Sequence, residues 1–252
     1  MQPRSSIVDS ITDDETLLGT VLSTVSPNAA EALGYTPLDF LFLDGQHGSP
    51  LSARLEHLVR ACDLNDTPVV VRVPREDTSA ITNFLDAGAR GVMLPQVEDA
   101  ETVREASSHV RYRDGRSMGS STRSARFGYV PKPRYGEYVN EDLALLPMVE
   151  TESGVNAAPE LARLNETTAL TIGPGDLANS LGVDFGSDTH RSVIDQVFEI
   201  GAEADCSVGL FVGTTEEIER YRDRAAFLIY RSDVSILVDH YERILEDNET
   251  EK

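Results

Sequence analysis

Eight short apolar runs, rich in β-branched residues, recur along the chain and constrain its fold more than any other feature. They are "LLGTVLS" (17–23), "LDFLFLD" (38–44), "PVVVRVP" (68–74), "GVMLPQV" (91–97), "LALLPMVE" (143–150), "ALTIGP" (169–174), "SVGLFV" (207–212) and "AAFLIYR" (225–231). Continuous rather than alternating hydrophobicity is what strands covered on both faces require, as in a parallel sheet between helices. The stretches "PLSARLEHLVRACDL", "DTSAITNFLDAG", "DAETVREASSHVR", "ESGVNAAPELARL" and "SVIDQVFEIGAEA" carry apolar residues at i, i+3, i+4 and i+7, the stripe of a helix packed on one side. Eight such alternations in 252 residues predict an α/β chain folded as one (β/α)8 TIM barrel rather than a doubly wound sheet. The single domain spans 1–252, with a short acidic tail at about 246–252 that reads as a frayed helix end.

One connection departs from this spacing. "RYRDGRSMGSSTRSARFGYVPKPRYGEYVN" (111–140) reads as a long loop, and such loops in compact domains are often functional; a surface excursion or a subunit contact explains the segment equally well.

Composition narrows the partners. Asp and Glu total 43 against 22 Lys and Arg, a formal charge of −21 that repels nucleic acid and anionic membranes. Lys132 and Lys252 are the only lysines, so Arg supplies 20 of the 22 cations; this bias and the acid excess together resemble proteins of extreme halophiles. Such self-repulsion is tolerable where molar salt shortens the screening length to about 3 Å. Cys62 and Cys206 lie far apart without metal-type spacing, and neither an apolar leader nor an 18-residue apolar run is present, so the expected setting is the cytoplasm.

In a barrel, the C-terminal ends of the strands share the face that carries chemistry. Asp44 ends the second run and His47 follows it; Arg72 sits near the end of the third, Glu150 closes the fifth, and Asp176 follows the sixth in "IGPGDLANSLG". Singly, each has a simpler reading: Glu150 or Asp176 as a helix cap, Arg72 as an ion-pair partner, His47 as a hydrogen-bonded structural imidazole. Together they put five ionisable residues on one mouth. Two carboxylates without cysteine or an HxxH-type cluster suit a hard divalent cation, Mg²⁺ or Mn²⁺, completed by water or substrate oxygens. The backbone N–H groups at the helix start in Gly173-Pro174-Gly175-Asp176 can hold a carboxylate or phosphate, and Gly175 lets a ligand approach the backbone closely. Such a site suits an α-keto acid, with Arg72 stabilising an enolate oxygen and His47, oriented by Asp44, moving the proton. Schiff-base chemistry lacks its amine, since Lys132 lies in "PKPRYG" and Lys252 is the last residue.

The segments "FLFLDGQHG", "VVVRVP", "FLDAGARGVMLPQVEDAE", "MVETESGV" and "TIGPGDLANSLG" resemble the HpcH/HpaI aldolase family in order and spacing, over about 15–240. The resemblance implies a divalent cation on Glu150 and Asp176, with Co²⁺ a further candidate beside Mg²⁺ and Mn²⁺. It implies a base at His47 paired with Asp44, Arg72 polarising the keto oxygen, and a pyruvate carboxylate on the amides around Gly175 and Asp176. Gln46, Gly173, Pro174 and Arg123 are the further substrate contacts expected on that basis. Asp86 in "FLDAGA" matches an acidic residue that the family places near a neighbouring subunit's site, and a homo-oligomer, trimer or hexamer, is expected, its last helix packed on a partner. Three features depart from the family pattern: Gln46 stands where an acidic residue is usual, the segment from Tyr112 to Phe127 lacks two prolines, and "LIYRSD" places Tyr230 and Arg231 at the last strand end.

The expected function is reversible cleavage of a 2-keto-3-deoxy or 4-hydroxy-2-oxo acid to pyruvate and an aldehyde. Oxaloacetate decarboxylation and acyl-CoA thioester lysis use the same enolate chemistry, and a barrel that binds ligand without turnover is the non-enzymatic alternative. The halophile-like surface predicts that the thermal midpoint falls when KCl is lowered from molar to millimolar; a midpoint indifferent to KCl would contradict it.

Overall fold

Eight parallel strands pair in chain order and close on themselves, the last hydrogen-bonded to the first. In the computed structural model, which describes residues 6–13, 15–47, 54–75, 77–117 and 119–250, they are β1 (Leu17–Val21), β2 (Phe40–Asp44), β3 (Val69–Arg72), β4 (Gly91–Leu94), β5 (Ala144–Val149), β6 (Ala169–Ile172), β7 (Ser207–Val212) and β8 (Phe227–Ser232). Every strand falls on one of the eight apolar runs, so the (β/α)8 barrel expected from their pattern is the fold observed.

Helix α1 (Ile7–Thr12) precedes the barrel and α2 (Pro27–Gly34) follows β1. The outer layer continues with α3 (Leu55–Cys62), α4 (Ser79–Ala87), α5 (Ala100–Val110), α6 (Lys132–Glu141), α7 (Glu152–Leu161), α8 (Pro174–Leu181), α9 (Asp188–Ala204), α10 (Thr215–Tyr221) and α11 (Asp233–Thr250). Side-chain caps begin many of them: Ser26, Asp99, Thr151, Ser187 and Thr214 each accept from a backbone N–H three residues on. Gly88 and Gly182 end α4 and α8 in the left-handed conformation.

The segment 111–140 is not wholly a loop. Its second half is α6, ten residues begun by Lys132 and Pro133, which buries Tyr135 and Val139 at four-residue spacing. Lys132 is exposed at its first turn, and Lys252 lies outside the described residues. The acidic tail expected to fray is helical through Thr250 as the end of α11.

Side chains divide between two cores by strand parity. Leu41 and Leu43 of β2 and Val69 and Val71 of β3 face the helices, whereas Phe40, Phe42, Val70, Met93, Leu146, Met148, Phe227 and Ile229 fill the barrel. At the N-terminal end, Ile7 and Ile11 of α1 pack over Phe40, Val70, Met93, Leu146 and Phe227, stoppering the barrel. Glycines make room for the aromatic layer: a Cβ on Gly209 would lie 2.1 Å from the Phe227 ring, and one on Gly19 would lie 2.5 Å from that of Phe40. Phe40 and Phe227 meet edge to face at 5.9 Å, and Phe42 and Phe211 at 5.2 Å.

Candidate active site

The same two-residue period delivers the polar residues. Stepping outward along β2, Phe40 and Phe42 are followed by Asp44; along β3, Val70 by Arg72; along β5, Leu146 and Met148 by Glu150; along β6, Ala169 and Thr171 by Gly173. At the C-terminal mouth the inward parity therefore exchanges its apolar side chains for two carboxylates, a guanidinium and a glycine.

Asp44 and Arg72 are direct register partners on β2 and β3. Arg72 Nε donates to Asp44 Oδ1 at 3.0 Å and Nη2 to Oδ2 at 2.5 Å, a two-pronged pair whose side chains are 14% and 19% exposed. Asp44 Oδ1 also accepts the backbone N–H groups of Gln46 at 2.9 Å and His47 at 3.1 Å. Asp44 thus holds the backbone of His47, where the sequence suggested that it would orient the ring; its carboxylate is committed to Arg72. Burial alone would raise the Asp44 pKa, but the hydrogen bond and charge of Arg72, with the two backbone donors, hold it below the ordinary value. Gly45 permits the turn, because a Cβ there would lie 2.5 Å from the Arg72 carbonyl oxygen.

Glu150 is 2% exposed, and its Oε1 accepts the Gln96 N–H at 2.7 Å. Desolvation raises its pKa; Gln96, Arg72 and His47 oppose the rise and the charge of Asp176 adds to it. Arg72, His47 and Asp176 are thus the charged side chains that act on Glu150, and Asp44 is tied to Arg72. Gly173 is shaped to Glu150, since a Cβ on it would lie 2.5 Å from Oε2. Gly175, by contrast, has open space around it, and both it and Asp176 are exposed on the first turn of α8.

Sequence reading missed His190, which is 1% exposed on the first turn of α9. Gly186 N–H donates to its Nδ1 at 3.0 Å, so Nε2 carries the proton and donates to the Pro174 carbonyl at 2.9 Å. The ring ties the start of α8 to the loop before α9. A capping position after Ser187 was its only sequence signal, and that does not distinguish it from a surface histidine.

Asp86 and Arg123 lie at the other end of the barrel. Asp86 is at the C-terminal end of α4, paired with Arg116, and Ser124 N–H donates to its carbonyl. Burial raises the Asp86 pKa, against the pull of Arg116. Arg123 pairs with Asp63 and donates to the Ala87 carbonyl at 3.2 Å. Within one chain, neither joins the mouth formed by Asp44, His47, Arg72, Glu150 and Asp176. Arg231 also turns away: its backbone is left-handed (φ 42°), and its guanidinium grips Asp239 of α11 at 2.6 and 3.1 Å.

Among the described residues no group of three or more His, Cys, Asp and Glu side chains is gathered for a metal. The carboxylates Glu150 and Asp176 nevertheless suit a hard divalent cation, which would relieve the repulsion between them while water and substrate oxygens completed its shell.

A closed (β/α)8 barrel with ionisable side chains at its C-terminal mouth has the anatomy of a barrel enzyme. The chain belongs to the HpcH/HpaI aldolase/citrate lyase family, whose model matches residues 19–231. It is 31% identical over 237 residues to a 2-dehydro-3,6-dideoxy-6-sulfogluconate aldolase of Pseudomonas putida, covering 90% of this chain and 91% of that one. A hydroxypyruvate/pyruvate aldolase of Roseovarius nubinhibens is 29% identical over 240 residues, with 93% of each chain covered. The crystal structure of an HpcH/HpaI aldolase/citrate lyase family protein from Burkholderia cenocepacia superposes with a TM-score of 0.89 at 30% identity, covering 96% of this chain and 98% of that one.

The Asp44–Arg72 pair makes a stability prediction. Asp44→Asn is expected to cost on the order of 3 kcal/mol near neutral pH, because Arg72 would lose its counter-charge. A depressed folded-state pKa contributes stability that is present above the unfolded value, near 3.8, and is lost as pH falls through the folded value. The gap in thermal midpoint between wild type and Asp44→Asn should therefore narrow on acidification below that value; a gap constant with pH would show that ionised Asp44 is not its source.

Proposed function

We propose that the chain is a divalent-metal-dependent aldolase that reversibly cleaves a 2-keto-3-deoxy or 4-hydroxy-2-oxo acid to pyruvate and an aldehyde. The observation that carries this reading is the buried carboxylate of Glu150, acted on by Arg72, His47 and Asp176 and set near the open first turn of α8. Mg²⁺, Mn²⁺ or Co²⁺ held by Glu150 and Asp176 would act as a Lewis acid on the keto oxygen.

The substrate carboxylate rests on the N–H groups of Gly175 and Asp176, where the helix start favours an anion. Arg72 spends Nε and one N–H of Nη2 on Asp44, and Nη1 can donate to the oxygen that becomes negative as the bond breaks. Asp44 thereby aims Arg72 while fixing the backbone that carries His47. His47 takes the C4 hydroxyl proton, the C3–C4 bond breaks to release the aldehyde, and the electron pair is left on C3 as an enolate. Protonation at C3 gives pyruvate. Gln46, Gly173 and Pro174 border the path of the keto acid.

Assembly as a homo-oligomer accompanies this proposal. Val234, Leu237, Val238, Tyr241 and Leu245 of α11 are 43–65% exposed, an apolar surface that a second copy would cover. Asp86, paired with Arg116, and Arg123, paired with Asp63, are remote from the mouth of their own chain and would meet a neighbour's as ion pairs. Light scattering after gel filtration is expected to report a trimer or hexamer, and Leu237→Asp combined with Leu245→Asp to reduce it; a monomer at all micromolar concentrations would exclude the assembly.

The activity is tested by pyruvate release in molar KCl from a panel of 2-keto-3-deoxy sugar acids and 4-hydroxy-2-oxo acids, with Mg²⁺ or Mn²⁺ against EDTA. Release is expected to need the metal, and His47→Ala to lower it by about 10²- to 10⁴-fold. A folded wild-type protein that releases no pyruvate from any compound would overturn the proposal.

A further inference from the structure

Gln96 follows the C-terminal end of β4 with a φ of 48°, a left-handed backbone that a residue carrying a Cβ adopts only when its surroundings demand it. Two contacts supply the demand. Its N–H donates to Glu150 Oε1 at 2.7 Å, and its side-chain oxygen accepts from Arg75 Nη1. Glu150 is otherwise enclosed, and its Oε2 packs close against Gly173, where a Cβ would come within 2.5 Å of it. One carboxylate oxygen is thus occupied from β4, and the other lies against the bare backbone of Gly173 that follows β6.

We propose that Gln96 is a positioning residue for Glu150. Its left-handed backbone presents an N–H to Oε1, and Arg75, by gripping the Gln96 side chain from the rim, holds that backbone in place. With Oε1 occupied, Oε2 is the oxygen presented to a divalent cation. This inference rests on the reading of Glu150 as a metal ligand.

Backbone and side-chain roles can be separated, because the group that matters is an N–H every residue but proline possesses. Glycine adopts the left-handed conformation freely and keeps the N–H in place without the side chain, whereas a β-branched residue resists that conformation most. Mn²⁺ binding is therefore measured by titration for wild type, Gln96→Gly, Gln96→Val and Arg75→Ala, following the electron paramagnetic resonance signal of free Mn²⁺, with thermal midpoints recorded alongside.

Gln96→Gly is expected to bind Mn²⁺ nearly as wild type does, and Gln96→Val about 10- to 100-fold more weakly, the usual loss when the partner of a metal ligand is disturbed. Equal binding by wild type and folded Gln96→Val would overturn the proposal while leaving the metal site standing. A loss in Gln96→Gly as large as in Gln96→Val would overturn it in favour of a side-chain role. Should Gln96→Val not fold, Arg75→Ala carries the test: weaker Mn²⁺ binding supports the grip, and unchanged binding overturns it. Wild type that binds no Mn²⁺ would remove the ligand reading of Glu150, and this proposal with it.

Discussion

Everything at the mouth depends on the strict alternation of side chains along parallel strands in a closed sheet. Once Phe40, Phe42, Leu146 and Met148 are committed to the barrel interior by the need to fill it, the next inward positions are no longer free: they are Asp44 and Glu150. A slip of one residue in the β2 register would send Asp44 out among the helices and break its alignment with Arg72. The apolar layers thus act as the ruler against which the polar ones are set, and the energy that fixes the ruler comes from burial rather than from the charges themselves.

The strands were legible because double-sided burial writes long apolar runs, and the mouth was legible because two runs stop at Asp44 and Glu150 and a third carries Arg72 near its end. The pairing of Asp44 with Arg72 could be read only after the register was known, since 28 residues separate them. Helix α6 was hidden by Pro131 and Pro133 at its start and by Gly136 within it, although Tyr135 and Val139 do show the spacing of a buried stripe. Gln96 left no trace: it sits within an apolar run whose pattern signals extended backbone, and its left-handed turn arises from contacts with Glu150 and Arg75 made across the sheet. Arg116, Arg123 and Arg231 were indistinguishable in sequence from other surface arginines, yet each is spent on an acidic partner, Asp86, Asp63 or Asp239.

That pattern says something about how a chain with so large an acid excess remains ordered. Asp44, Asp63, Asp86 and Asp239 each receive an Arg, and three of those four pairs are more than four-fifths buried on the guanidinium side. Arg suits this task because its planar fork can satisfy both carboxylate oxygens and its charge persists at any pH the fold survives. Other carboxylates pair nearer the surface, as Glu56 does with Arg60 and Asp195 with Arg220 and Arg224. Glu150 is the exception, buried with a backbone N–H as its nearest donor and kept short of full compensation.

The aromatic layer beneath the mouth has an electrical consequence. Phe42 and Phe211, set edge to face below Asp44, form a floor of low polarity, and the helices wall the site at the sides. Only the opening above is bathed in water, so nearly all dielectric screening of the charged cluster enters from one direction. On the proposed function, a keto acid settling over that opening would displace the wet wall, and each attraction that holds it would strengthen as it arrives. The ligand is in that sense its own lid.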